Sequence, residues 1–258
     1  MATLRPWGRR RVDLDPFQST YIAHRGLFDN ERDYPENTLA AFSRAVDAGY
    51  GIELDVRRTK DGKIVIAHDA GLERICGRRV AISDITYDEL RRHRVLASRQ
   101  RVPLLSEVLD VVAERVPLIV EIKPDLGYTQ TCVRTDAELR TYSGTYCVES
   151  FDPRVLWWYR RHRPWVIRGQ LSEDFSNGDG TGIRPLDWAL TNMLFTPVTW
   201  PDFIAYNWEH ATKSILHFWR RVLRCPLAAW AITSQAQLDR VKEDFSAFIF
   251  DGFIPDET

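Results

Sequence analysis

No stretch of this chain approaches the ~20 consecutive apolar residues of a membrane span. Its N-terminal stretch, MATLRPWGRRRVDLDPF, carries basic residues but no apolar h-region of a secretory signal. Cysteine is sparse: four occur, at 76, 132, 147 and 225, and no two form a C-x-x-C pair. That spacing excludes a zinc ribbon and a dense disulfide framework, leaving scattered reduced thiols. A surplus of positive charge is also missing. The formal net charge is −1, so electrostatics alone do not suggest a nucleic-acid partner. Internal repeats and low-complexity linkers are absent as well. These absences lead to the expectation of a soluble cytoplasmic protein with any membrane contact confined to its surface.

What is present is ordinary globular composition, with 44% apolar and 28% charged residues across 258 positions. That length suits one α/β barrel, so residues 1–258 are expected to form a single domain with 1–19 as an N-terminal extension. Nine tryptophans are many, enough both to pack a core and to line a binding surface. Eight short β-branched and aromatic runs recur, at 21–24, 51–56, 118–121, 146–149, 166–170, 203–207, 227–232 and 247–250. They read as strands buried on both faces. Between them lie helical patterns. Thr38 can cap a helix with Leu39, Phe42 and Val46 on one face and Gly49 past its end. Residues 106–115, 152–162, 213–223 and 234–244 show similar stripes. Strand–helix alternation repeated eight times predicts parallel pairing and closure into a (β/α)8 TIM barrel, with an open doubly wound sheet as the alternative.

Two segments interrupt the alternation. After the second strand, Thr59-Lys60-Asp61-Gly62-Lys63 is a turn, and residues 64–67 read as a short return strand carrying His68 over the barrel mouth. Residues 69–105 then form a longer excursion. The fifth strand is followed by a second insertion, residues 172–201, read as loop-rich from its Asn-Gly, Asp-Gly and Thr-Gly steps. Loops after strands lie on the catalytic face of such barrels, so this one is placed to act as a lid or specificity element.

The chemistry-bearing residues fall at strand ends. Glu53 and Asp55 are two apart in a strand and point the same way. Two such carboxylates repel each other. Either a cation joins them, or one sits on the rim paired with Arg57 or Arg58. Glu121 follows three apolar strand positions, and in a barrel its strand lies beside that of Glu53 and Asp55. Three hard oxygen donors suit one divalent cation, Mg²⁺ or Ca²⁺. His24 ends the first strand and His68 the return strand, so both project over the same face, and two imidazoles can serve as base and acid in phosphoester cleavage. The other histidines, 93, 162, 210 and 217, read as structural. Arg25 and Lys123 are candidate phosphate clamps.

Ile22-Ala23-His24-Arg25-Gly26, Pro35-Glu36-Asn37-Thr38, Ile52-Glu53-Leu54-Asp55-Val56, Thr59-Lys60-Asp61-Gly62, His68-Asp69 and Glu121-Ile122-Lys123 stand in order at close spacing. Together they resemble the glycerophosphodiester phosphodiesterase family. The likeness is dense over residues 22–76 and 117–124 and looser from Ser150-Phe151-Asp152 onward. It implies a (β/α)8 barrel that hydrolyses glycerophosphodiesters to sn-glycerol 3-phosphate and an alcohol, through a cyclic phosphate formed by the neighbouring glycerol hydroxyl. By the same resemblance His24 and His68 are the acid–base pair, Glu53, Asp55 and Glu121 the metal ligands, and Arg25 and Lys123 contacts to phosphate. The C-terminal part departs from the family pattern. Trp230-Ala231-Ile232-Thr233 replaces Trp-Thr-Val-Asn, and Phe250-Asp251-Gly252-Phe253-Ile254-Pro255 replaces Thr-Asp-x-Pro. Phe151 and Trp230 still read as walls of the substrate site, with the alcohol left open.

The aromatic content around Trp188, Met193-Leu194-Phe195 and Trp200, with Trp7 and Arg9 to Arg11 near the N-terminus, raises an alternative. It is a phospholipase D-like enzyme acting on lysophospholipids or sphingolipids, with peripheral membrane contact. A non-catalytic phosphodiester-binding protein is the remaining reading. It would show a lost histidine or carboxylate, and none is missing. No obligate protein partner is expected.

Overall fold

A computed structural model describes residues 12–125, 127–175, 181–210 and 214–256. The N-terminal residues Trp7 and Arg9 to Arg11, the Asn-Gly and Asp-Gly steps at 177–180, and Lys213 lie outside the described residues.

Nine strands form one sheet: β1 Ile22–His24, β2 Gly51–Arg58, β3 Ile64–Ile66, β4 Leu118–Ile122, β5 Tyr146–Ser150, β6 Ile167–Ser172, β7 Phe203–Asn207, β8 Leu227–Ile232 and β9 Ala247–Phe250. The order is β1-β9-β8-β7-β6-β5-β4-β2-β3, and β1 also pairs with β2, which closes a barrel. Eight strands are parallel; β3 is antiparallel to β2 and is the expected return strand. The expected (β/α)8 barrel is therefore present, with its strands within two residues of the predicted runs.

Helices cover the outside. Thr38 caps Leu39–Asp47 by accepting from the Ala41 amide, and Asp152 caps Pro153–His162 by accepting from the Arg154 amide. Outward strand residues such as Leu54, Val120 and Val148 pack in one apolar layer with Phe42 and Val155 of these helices and Val108 of the helix Leu105–Val112. The alternate residues face the barrel interior. Its lower half is apolar, with Ile22, Ile119, Cys147 and Ile249 packed against Leu14 and Phe17. Leu14 and Phe17 belong to the short helix Asp15–Gln18 and its cap, so part of the N-terminal extension plugs the barrel floor. Two residues further along the same strands, the same face carries His24, Glu121 and Glu149. The interior thus changes from apolar floor to ionisable mouth within one pleat repeat.

The excursion of residues 69–105 has a small core of its own around Val65, Leu72, Ile82, Leu90 and Val95. The second insertion departs from the loop-rich expectation. Among its described residues are the helices Arg184–Thr191 and Thr196–Thr199. Glycine steps dominated the sequence reading, but the stronger local signal was Pro185 in the first turn with Leu186 and Leu190 one turn apart. The predicted helix over 213–223 is also divided, into Ser214–His217 and a wider-wound turn Phe218–Val222.

Candidate active site

Strand register assembles the site. His24 of β1 is level with Glu53 of β2, Asp55 of β2 with Glu121 of β4, and Glu121 with Glu149 of β5. Oxygen atoms of Glu53, Asp55 and Glu121 lie within 4.8 Å of one another, and all three residues are buried. Arg57 does not neutralise them. Its guanidinium donates to the His68 carbonyl (2.9 and 2.6 Å) and to Asp125 (2.8 Å). The rim salt bridge with Arg57 is thus ruled out.

The cluster divides its charge unevenly. Burial raises Glu53 well above the usual carboxylate range, reinforced by Asp55 and Glu121. Glu121 is pushed up to about 7, mainly by burial against the opposing pull of Lys123. Burial alone would raise Asp55 too, but Lys123 and then Arg25 outweigh it and hold it well below its ordinary value. The Lys123 ammonium sits 2.8 Å from Asp55 Oδ1 and 2.6 Å from Glu121 Oε2. Asn37 Nδ2 donates to Asp55 Oδ2 at 2.7 Å, and Arg25 Nε lies 3.4 Å from the same oxygen. The Lys123 ammonium bonds two of the three carboxylates and the Arg25 guanidinium approaches only Asp55, so the acids repel one another in a way that one divalent cation would relieve. Glu121 Oε1 is buried and accepts no hydrogen bond. An orphaned oxygen beside a repelled acidic trio fits a hard divalent ion.

The two histidines flank this trio. The His24 Nδ1 lies 3.0 Å from Asp251 Oδ2, and its Nε2 lies 3.8 Å from Glu53 Oε2. The His68 Nδ1 lies 2.8 Å from Asp69 Oδ1. With an aspartate at each Nδ1, the Nδ1–H tautomer is favoured and Nε2 is left for proton transfer in both rings. The turn behind His24 is tight. Arg25 and Gly26 both have positive φ (57° and 84°), and a Cβ at Gly26 would come within 2.9 Å of the Ala41 carbonyl carbon. This turn aims Arg25 back at the acids, with its amide on Glu53 (3.1 Å) and its Nη1 on Glu36 (3.0 Å). Buried Glu36 also binds both terminal nitrogens of Arg74, at 2.8 and 2.7 Å, and Arg74 Nε donates to Asp69 at 2.6 Å. One ion-pair chain therefore runs Arg25–Glu36–Arg74–Asp69–His68.

Beside the acids opens a cavity of about 890 Å³. His68, Glu121 and Lys123 form its polar end. Its walls are apolar: Phe151 and Phe175 on one side, Leu186, Leu190, Phe195 and Val198 of the second insertion on the other. Phe151 thus lies at the site. Trp230 stands behind it, edge-on at 5.5 Å between ring centroids, and does not itself line the cavity. His162 stacks on Trp158 (4.7 Å) and bonds the Trp158 carbonyl, in keeping with a structural role.

Comparison with known proteins decides the lineage. The profile of the "Glycerophosphoryl diester phosphodiesterase family" matches residues 24–189, more than half of the chain. The chain belongs to this family. A glycerophosphodiester phosphodiesterase of Bacillus altitudinis is 41% identical over 109 residues, which cover 40% of this chain and 43% of that protein. A lysophospholipase D of Rattus norvegicus is 38% identical over 120 residues, 42% of this chain and 37% of that protein. The chain thus spans less than half the length of these curated relatives. Among solved structures, an Oleispira antarctica phosphodiesterase in complex with the product sn-glycerol-3-phosphate superposes with TM-score 0.76 at 20% identity, covering 90% of this chain and 92% of that one. A glycerophosphodiester phosphodiesterase of Thermotoga maritima gives TM-score 0.66 at 23% identity, covering 90% and 94%. At such identities these structures establish the shared fold.

Sequence reasoning missed four members of the assembly: Asp251, Asp69, Glu36 and Glu149. The signals were present for three. Asp69 directly follows His68, Glu36 stands inside Pro35-Glu36-Asn37-Thr38, and Asp251 directly follows β9, two residues beyond the inward-facing Ile249. Glu149 is buried and pushed well above the usual range by burial and by Glu121. Only its register with Glu121 reveals it.

Proposed function

We propose that this protein is a metal-dependent phosphoric diester hydrolase that cleaves glycerophosphodiesters to sn-glycerol 3-phosphate and an alcohol. One observation carries the reading: two histidines, each with an aspartate on Nδ1, face a buried three-carboxylate cluster at one barrel mouth. Glu53, Asp55 and Glu121 would hold one divalent cation, Mg²⁺ or Ca²⁺. When bound, that ion supplies Lewis-acid neutralisation of phosphoryl charge and a lower pKa for the attacking hydroxyl. Arg25 and Lys123 add positive charge where the phosphoryl oxygens would lie. The neighbouring glycerol hydroxyl attacks phosphorus while one histidine Nε2 takes its proton. The bond from phosphorus to the alcohol breaks, and the other histidine donates a proton to the leaving alkoxide. Water then opens the cyclic phosphate by the reverse use of the same pair. The Oleispira structure, with glycerol 3-phosphate bound on the same fold, supports this product.

Replacing His24 or His68 by Ala is expected to lower kcat by about 10²–10⁴-fold with an unchanged melting temperature. Turnover within twofold of the parent in both variants would sink the acid–base assignment. EDTA should abolish turnover, and Mg²⁺ or Ca²⁺ should restore it.

A second reading is favoured by the apolar cavity walls. In it the glycerol carries a hydrocarbon chain, as in a lysophospholipid, and the enzyme works as a lysophospholipase D that releases the head-group alcohol. Turnover of glycerophosphocholine against lysophosphatidylcholine separates the two substrates. A preference for the chain-free compound would leave the cavity without a hydrocarbon role.

A further inference from the structure

The apolar cavity does not end inside the protein. Two of its lining residues, Trp157 of the helix Pro153–His162 and Val198 of the second insertion, are also exposed on the outer surface. The two segments are tied together, since Arg160 Nη1 donates to the Pro197 carbonyl at 3.3 Å. Leu186 and Leu190 turn inward to the cavity, so the helix that carries them borders its mouth. On that helix and its flanks stand Ile183 (58% exposed), Trp188 (62%) and Leu194 (49%). An apolar rim of this size on a soluble surface needs an occupant.

The charge around the rim indicates which occupant. Residues 153–165 contain four arginines; Arg154 pairs with Asp152 and Arg163 with Asp136, while Arg160 and Arg161 have no acidic partner among the described residues. Arg161 sits over the ring of Trp157, 5.7 Å from the ring centroid, and Arg160 over that of Trp200, at 4.4 Å. Arg184 is exposed at the start of the insertion helix, whose Asp187 is buried and turned to Thr181. Tryptophan rings backed by guanidinium groups match the layered chemistry of a lipid headgroup region, apolar below and anionic above. We propose that this rim is a docking face for an anionic lipid surface, placing the cavity mouth against the hydrocarbon. The proposal rests on the phosphodiesterase reading only for what docking would serve. The binding itself is independent of turnover.

The test is co-sedimentation of the full chain with vesicles of phosphatidylcholine mixed with phosphatidylglycerol. The protein is expected to pellet with these vesicles at low salt, to be released by high salt, and to stay in solution with pure phosphatidylcholine. The pair Ile183→Ser and Trp188→Ser should lower partitioning by about tenfold. The pair Arg161→Glu and Arg184→Glu should do the same or more. Both should keep the parent's melting temperature and its hydrolysis of a water-soluble glycerophosphodiester. Three results overturn the proposal: no sedimentation at low salt, variants that pellet like the parent, or a dimer that the Trp188 variant dissociates without altering vesicle binding. The last would assign the rim to a second copy of this chain. A parent chain that hydrolyses the soluble substrate but does not pellet rejects docking alone, and a parent that pellets but does not hydrolyse rejects the phosphodiesterase reading alone.

Discussion

The two sides of the barrel mouth differ in kind. On the side of β1, β2 and β4, charged groups sit on the interior face and each is held by another: Asp55 by Lys123, Asn37 and Arg25, Arg25 by Glu36, Glu36 by Arg74. On the side of β5 and β6, Phe151, Phe175, Leu190 and Phe195 wall a largely apolar cavity, with Asp152, Arg154 and Glu173 among its polar lining. The first side is over-determined, because a buried charge must find its partner or it destabilises the fold. The second side needs only apolar bulk, which many sequences supply.

The sharpest way to break this comparison is to remove one charge from the crowded side. Glu53→Gln keeps an acceptor for the Arg25 amide but deletes a carboxylate that burial, Asp55 and Glu121 all disfavour. Turnover is expected to fall by about 10³-fold or more through loss of the ion site. The metal-free variant should nonetheless melt higher than the metal-free parent, by about 1–2 kcal/mol of stability. Mg²⁺ or Ca²⁺ should then raise the melting temperature of the parent more than that of the variant. Calorimetry with and without EDTA reads both changes. A variant less stable than the metal-free parent would show that the trio is not under repulsion.

The next effect is on Glu36, the hub between the two histidine arms. Burial alone would raise it, but hydrogen bonds from Arg74 and the charge of Arg25 lower it to about 2. A depressed carboxylate contributes stability that is fully present above its unfolded pKa, near 4.5, and is lost as pH falls towards 2. Glu36→Gln should therefore cost on the order of 2–3 kcal/mol at neutral pH. The gap between parent and variant should close between pH 4.5 and 2 in denaturant titrations. A constant gap across that window would mean the loss comes from packing rather than charge.

Much of this was legible in the residues and part was not, and the division is physical. Alternation fixes side-chain direction, so Glu53 and Asp55 could be placed together, and short apolar runs separated by helical stripes predicted closure of the barrel. Contacts made by register across strands carry no local signal. The pairing of Glu149 with Glu121, and of Asp251 with His24, depends on strands distant in sequence meeting at one height. Adjacency in sequence offers Arg57 as a partner of the carboxylates, yet it turns to Asp125 and the His68 carbonyl. The glycines of the second insertion predict loop, whereas the stripe of Leu186 and Leu190 makes its helix a cavity wall.

The smallest expected effect lies on that apolar side and tests whether it receives a hydrocarbon chain carried on the glycerol. Leu190 lines the cavity from the helix Arg184–Thr191, as Phe151 does from the end of β5. Leu190→Glu places a carboxylate where a hydrocarbon chain would lie, without touching the acids or histidines. For a lysophospholipid the variant should lose about tenfold in kcat/KM, the cost of setting a charge against a chain of a few methylenes. For glycerophosphoglycerol, whose alcohol is small and polar, kcat/KM should stay within about twofold. The ratio of the two substrates, rather than either rate, is the measurement, since a general loss of folding would lower both together. An unchanged ratio with both rates intact would mean that no hydrocarbon chain lies along this wall, and that it serves the fold rather than the substrate.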